Sequence, residues 1–336
     1  MLTVGWLLAA ALCVAWVGTW LVRAYALHHS IMDVPNQRSS HVVPTPRGGG
    51  VAIVLSFIAA LPVVVQGGWL EVHHAVALGG AGSLVALVGF LDDHRPISAR
   101  WRLLVHFVAA AWGLYWLGGM PPLQFGEVSI PWGVWGVPVG LLYLVWMLNL
   151  YNFMDGIDGI AGVEAVTTCA AVVLICGLTG DWQAAVLPAL LAVSVGGFLY
   201  WNLPPARIFM GDAGSGFLGL ILGLLSLQMA WANPDLFWAW LILLAVFLVD
   251  ATITLLRRLW RGVRVYEAHR EHAYQHAARR LRAHGPVTAA VAAINLFWLL
   301  PLACWVVLKG DAWFVVPLAY GPLIWLVLKY RAGLAE

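Results

Sequence analysis

The chain has 336 residues, 62% of them hydrophobic and only 10% charged, with a formal net charge of +2. A mean hydropathy of +0.85 excludes a soluble globular domain and a disordered chain alike. The slight positive balance does not point to nucleic acid, because the placement of the basic residues relative to a membrane accounts for it.

Crossing a bilayer takes about 20 apolar residues in a helix, and such runs recur along the whole chain. Eleven can be counted, at residues 2–22, 49–66, 73–91, 102–118, 134–151, 160–178, 183–201, 214–231, 236–256, 286–308 and 312–328. A count of ten is the main alternative. The first run has no basic segment ahead of it, so it reads as a retained helix and not as a cleaved leader. Arg23, Arg38 and Arg47 surround the first connection, Arg95, Arg100 and Arg102 the third, and Arg207 lies in the seventh. Arginines from Arg257 to Arg282 fill the ninth, and Lys329 and Arg331 follow the last run. Of the 18 basic residues only Lys309 falls on the opposite face. The crowded face is therefore expected to be cytoplasmic, with the N-terminus periplasmic and the C-terminus cytoplasmic. The expected fold is an all-α polytopic membrane protein, one domain over residues 1–336 without repeats. Cys13, Cys169, Cys176 and Cys304 all lie inside apolar runs and read as small core residues.

The chemistry concentrates in the connections on the basic face. The first carries Asp33-Val-Pro-Asn and Pro44-Thr-Pro-Arg-Gly-Gly, and the third opens with Gly89-Phe-Leu-Asp-Asp. The fifth is Asn152-Phe-Met-Asp-Gly-Ile-Asp-Gly, and the seventh contains Asn202 and Phe209-Met-Gly-Asp-Ala-Gly-Ser. The ninth, the longest, holds His269-Arg-Glu-His-Ala-Tyr-Gln-His. Taken singly, each has an ordinary explanation: Asp92-Asp93 as a hydrated helix end, Asp155, Asp158 and Asp212 as helix caps, His272 as a solvated loop histidine. Taken together, acids at several helix ends without basic partners at helical spacing repel one another, and a divalent cation would relieve that. Carboxylate oxygens are the ligands Mg²⁺ prefers, usually alongside water or phosphate oxygens. Nearby arginines and histidines suit a phosphate-rich substrate. The residues thus point to a Mg²⁺ site at the cytoplasmic membrane surface that handles a diphosphate, with a lipid as one reactant. If residues 152–159 continue the helix, Asp155 and Asp158 share one face. Intramembrane acids also mark secondary transporters, the alternative reading, although those favour internal repeats and polar groups near mid-bilayer.

These motifs, in this order, resemble the polyprenyl-phosphate N-acetylhexosamine-1-phosphate transferases. That family includes the phospho-N-acetylmuramoyl-pentapeptide transferases and the enzymes that initiate O-antigen and enterobacterial common antigen. The resemblance implies transfer from a UDP-activated N-acetylhexosamine to undecaprenyl phosphate in the bacterial inner membrane. It implies Mg²⁺ as cofactor, with Mn²⁺ as a substitute, and homodimers among its members. By position, Asp92 and Asp93 match the paired acids on the lipid-phosphate side, and Asp155 and Asp212 match Mg²⁺ ligands. Asn152 would support that network. Asp158, Asn202 and Phe209 match the nucleotide pocket, with Phe209 stacking on uracil. Arg102, Arg47, His41 and Arg270 match basic substrate-binding positions, and His272 the histidine at the substrate diphosphate. The ninth connection lacks the triple histidine of the peptidoglycan enzymes and is closest to the O-antigen and capsule branch. No role follows for Asp250, His269 or His276.

Overall fold

Each apolar run becomes a helix or a pair of helices in the computed structural model, which describes residues 2–35, 43–263 and 269–334. In chain order these are α1 (Leu2–His28), α2 (Gly50–Gln66), α3 (Val72–His94), α4 (Ala99–Trp116), α5 (Gly136–Met154), α6 (Ile160–Thr179) and α7 (Val186–Asn202). There follow α8 (Asp212–Ala232), α9 (Asp235–Leu243), α10 (Ala245–Trp260), α11 (Ala273–Leu281), α12 (Gly285–Ile294), α13 (Leu300–Lys309) and α14 (Ala312–Lys329). Two short hairpins, with Met32 opposite Pro46 and Leu123 opposite Ile130, are the only strand pairs among the described residues. Seven helices are long and apolar enough to cross a membrane, or eight if α9 and α10 count as one bent span. The protein is an all-α, multi-pass membrane protein.

The centre of the bundle is α8, in which every residue from Ala213 to Leu227 is buried. A helix that is apolar on all sides belongs inside a bundle. It packs against α2, α3 and α5, and small residues allow this, as is usual where membrane helices approach closely. Around it α1 packs on α2 and α7, and α6 on α7 and α12.

Two expected spans are irregular. The run at 236–256 breaks at Leu244, where α9 and α10 diverge by 70°. The Leu243 carbonyl finds a donor in the Thr168 hydroxyl of α6 at 3.3 Å, so the break leaves no cost of an unpaired group there. The run at 286–308 is interrupted by a π turn at Asn295–Leu299. Asn295 donates to buried Glu164 at 2.7 Å and to the Thr167 hydroxyl at 2.8 Å. The ninth connection, expected as a loop, is helical from Ala273. Residue His272 begins it, its N–H donating to the side chain of Gln275 at 3.3 Å.

Candidate active site

The third and seventh connections meet because α3 lies backbone to backbone against the start of α8. A Cβ at Gly89 would fall 2.5 Å from the Ala213 nitrogen, so only glycine permits this approach. One turn later the buried carboxylate of Asp93 accepts the N–H of Asp212 at 3.1 Å and that of Ala213 at 3.4 Å. Gly211, at φ +78°, turns the chain into this arrangement. The first amides of α8, which have no partner inside the helix, are thus capped by a carboxylate from another helix. Arg47 donates to the Asp93 carbonyl, and its Nε lies 3.8 Å from Asp93 Oδ1.

Around this joint the other acids gather. Asp92 accepts the Ile97 N–H and an Arg102 N–H, both at 2.6 Å. The same Arg102 nitrogen reaches Asp212 at 3.0 Å, so one guanidinium from α4 ties two carboxylates together. Asn152, in the last turn of α5, donates to Asp212 and to the Ser215 hydroxyl, each at 2.9 Å. The expected repulsion between acids is therefore partly offset by Arg102, a partner supplied across the bundle and not at helical spacing.

Asp155 is the exception. The α5 helix ends at Met154, and the Asp155 carboxylate accepts no hydrogen bond among the described residues. Burial, together with the charges of Asp212, Asp93 and Asp158, pushes its carboxyl well above the usual carboxylate range. No three His, Cys, Asp or Glu side chains form a ready-made cage among the described residues. Mg²⁺ needs no such cage, since it keeps several waters and takes oxygens from bound phosphates. An unshared carboxylate beside Asp212, in a region with surplus negative charge, fits such an ion.

The conditional expectation that Asp155 and Asp158 share a helical face does not hold, because the chain leaves the helix at Asp155. Gly159, at φ +75°, lies on a turn, and Asp158 points elsewhere. It accepts the Ala206 N–H at 3.0 Å and lies 3.0 Å from His284 Nδ1. Asn202 is buried, accepting the Gly159 N–H at 3.0 Å and donating to the Ile208 carbonyl at 2.9 Å. It clamps the fifth connection to the seventh. Half-buried Phe209 lines a groove of about 630 Å³ together with Asp158, Arg279, Arg282 and His284.

Residues 75–230 match the profile described as glycosyl transferase family 4. A decaprenyl-phosphate N-acetylglucosaminephosphotransferase of Mycolicibacterium smegmatis is 31% identical over 279 residues, covering 73% of this chain and 67% of that protein. The chain belongs to glycosyl transferase family 4. A probable undecaprenyl-phosphate N-acetylglucosaminyl 1-phosphate transferase of Bacillus subtilis is 28% identical over 247 residues, 72% of this chain and 68% of the relative. A phospho-N-acetylmuramoyl-pentapeptide-transferase of Synechococcus is 29% identical over 276 residues, 76% and 73% of the two chains. These relatives are polyprenyl-phosphate sugar-1-phosphate transferases.

In this family 4 transferase the ninth connection docks against the fifth. The Tyr274 hydroxyl donates to the Phe153 carbonyl at 3.0 Å. His272 is buried, with Nδ1 3.3 Å from Asp250 Oδ1 and its ring 4.9 Å from that of His269. Burial, with His272 and Arg258 nearby, pushes His269 down to about 3, so it is neutral at physiological pH. Asp250 also accepts the N–H groups of Ala273 at 2.9 Å and Tyr274 at 3.0 Å. Its role, which no motif disclosed, is to cap α11 and hold His272.

The structure thus brings together Asp92, Asp93, Arg102, Asn152, Asp155, Asp212 and Arg47. Asp158, Asn202 and Phe209 form the adjoining groove, and His272 stands behind Phe153, ring to ring at 6.5 Å. Arg270 is exposed and joins neither group; its carbonyl accepts from Arg279 at 3.1 Å. His41 lies outside the described residues. Sequence reasoning missed Ser215 and His284. Ser215 carries a signal, its place three residues into the Asp212 helix start, whereas His284 carries none.

Proposed function

We propose that this protein transfers N-acetylhexosamine 1-phosphate from a UDP-sugar to undecaprenyl phosphate, yielding undecaprenyl-diphospho-N-acetylhexosamine and UMP. It would act at the cytoplasmic face of the bacterial inner membrane, in the first membrane step of O-antigen or a related surface polysaccharide. The observation that carries this reading is the convergence of acids from α3, α8 and the fifth connection on one point, next to a groove with an aromatic wall. Its lipid partner is supported by an apolar cleft of about 250 Å³ between α1, α2 and α3 that runs up to Arg47 and Asp93. The orientation is supported by arginines that link helix ends on one face. Arg23 donates to the Arg207 carbonyl at 3.2 Å and Arg257 to that of Ala332 at 2.9 Å.

In the reaction an oxygen of the carrier phosphate attacks the β-phosphorus of the donor. The bond from that phosphorus to the bridging oxygen breaks, and the electron pair leaves with UMP. Asp155 and Asp212 would hold Mg²⁺, which when bound supplies neutralisation of diphosphate charge; Mn²⁺ has the same oxygen preference. Asp92, already held by Arg102 and the Ile97 amide, orients the carrier phosphate or takes its proton in a direct displacement. A covalent aspartyl intermediate is the competing course. Arg102 and Arg47 face phosphate oxygens, and Phe209 offers a stacking surface to the base.

The test is UMP release by the purified protein given undecaprenyl phosphate, Mg²⁺ and a panel of UDP-N-acetylhexosamines, including 6-deoxy forms. Turnover of one or more donors is expected. Failure with every donor overturns the reading.

A further inference from the structure

The ninth connection is fastened to α10 at two places, and a histidine without an assigned role is part of the fastening. The Asp250 carboxylate of α10 takes His272 Nδ1 at 3.3 Å. Farther along the same helix Arg258 binds the Glu271 carboxylate at 2.8 Å, and Arg261 reaches it at 3.3 Å. The Glu271 N–H in turn donates to His269 Nδ1 at 3.3 Å. His269 is thereby anchored to a clamped piece of backbone. Its ring lies 4.9 Å from that of His272, at an interplanar angle of 24°.

These contacts fix the protons. An ionised carboxylate only accepts, so His272 Nδ1 carries a hydrogen and Nε2 is left for a ligand. A backbone N–H only donates, so His269 Nδ1 is bare and its ring is neutral. Neutrality matters here, because a second positive charge at this distance would oppose protonation of His272. The hydrogen bond to Asp250 holds one edge of the His272 ring but not its tilt. The last side-chain torsion of histidine is broad, with no narrow staggered well to set it. A flat neighbour at stacking distance supplies the missing restraint. Among the described residues three rings lie near His272, and His269 is the nearest. Tyr274 follows at 5.6 Å and 27°, and Phe153 at 6.5 Å and 32°.

We propose that His269 is a positioning residue for His272. Asp250 sets the Nδ1 edge of the imidazole and the His269 ring sets its plane, so that Nε2 is presented to the donor diphosphate. The inference rests on the reading of His272 as the histidine at that diphosphate. A group facing the reacting phosphates is effective only within about 10–20° of its productive orientation. Because His269 acts through His272, its loss has a consequence only while His272 is present.

The experiment measures UMP release, and melting temperature in detergent, for the wild type, H269A, H269L, H269F, H272Q and the double variant H269A/H272Q. H269A is expected to lower kcat about 10–100-fold, the range for losing a partner that orients a functional group. H269F keeps a flat ring and is expected within about threefold of the wild type. H269L fills similar volume without a flat face and is expected to fall with H269A. In the H272Q background, H269A should lower kcat by no more than about twofold further. A structural role would instead give equal losses in both backgrounds, with H269L rescuing as well as H269F. Either result overturns the proposal, as does an undiminished kcat in H269A. Should H269A fail to fold, the contrast between H269L and H269F decides. A wild type that turns over no UDP-sugar, or an H272Q as active as the wild type, overturns this inference together with the reading it rests on. An active wild type with an impaired H272Q and an indifferent His269 overturns this inference alone.

Discussion

Two helices of this protein begin on a carboxylate supplied by a neighbouring helix, and the two sites differ in charge. At the start of α8 the cap is Asp93 from α3, taking the amides of Asp212 and Ala213. At the start of α11 it is Asp250 from α10, taking those of Ala273 and Tyr274. Geometrically the devices are alike. Around Asp93, however, stand Asp92, Asp155 and Asp212, whereas Asp250 faces His272 and the Thr254 hydroxyl at 3.1 Å. One site carries surplus negative charge and suits a cation; the other fixes a histidine. The same cap has been put to two uses, and the neighbours decide which.

The comparison breaks most visibly through its metal side. D212N should lower UMP release by about a thousandfold or more while the melting temperature in detergent stays close to that of the wild type. Undiminished turnover in that variant would remove Asp212 from the metal assignment. The two caps should then respond differently to loss of charge. D250N, acting through His272, is expected to reduce kcat by about 10–100-fold with the Mg²⁺ dependence of the rate unchanged. D93N, by contrast, should shift the half-saturating Mg²⁺ concentration upward by about tenfold, because it removes charge near Asp155. Equal Mg²⁺ profiles for both variants would show that the two caps are electrostatically equivalent after all.

A packing test sharpens the same contrast. G89A forces a Cβ against the backbone of Asp212 and Ala213, which should cost about 1–3 kcal/mol and lower the melting temperature. The smallest effect concerns Asp155. Its carboxyl titrates above the usual range in the folded protein, so the native state binds this proton more tightly than the unfolded chain does. Without divalent metal, stability should fall as pH rises from the ordinary carboxylate value towards the raised one, then level off. Thermal melts of the metal-free protein across that range should show this slope, and D155N should flatten it.

Much of the architecture was legible because it depends on local pattern. The apolar runs become helices, and Asp92, Asp93 and Asp212 sit at helix ends as expected. The motifs also located the family and the acid cluster. The partners of those acids were not legible. Arg102 meets Asp212 across 110 positions and His284 meets Asp158 across 126, separations at which no periodicity operates. The bend at Leu244 was hidden as well, since Leu243-Leu244-Ala245 contains neither glycine nor proline, the residues that usually mark a kink.

By itself, then, the sequence determined a polytopic helical membrane protein and its family. The first follows from hydropathy, the second from the ordered set of motifs. Only the tertiary structure decided that Asp155 stays unshared among the described residues, that Asp158 turns away to His284, and that Asp93 and Asp250 serve as caps from afar. The physical reason is that a carboxylate's role is set by the donors and charges within a few ångströms. In a bundle those neighbours come from helices that the chain reaches only after long excursions.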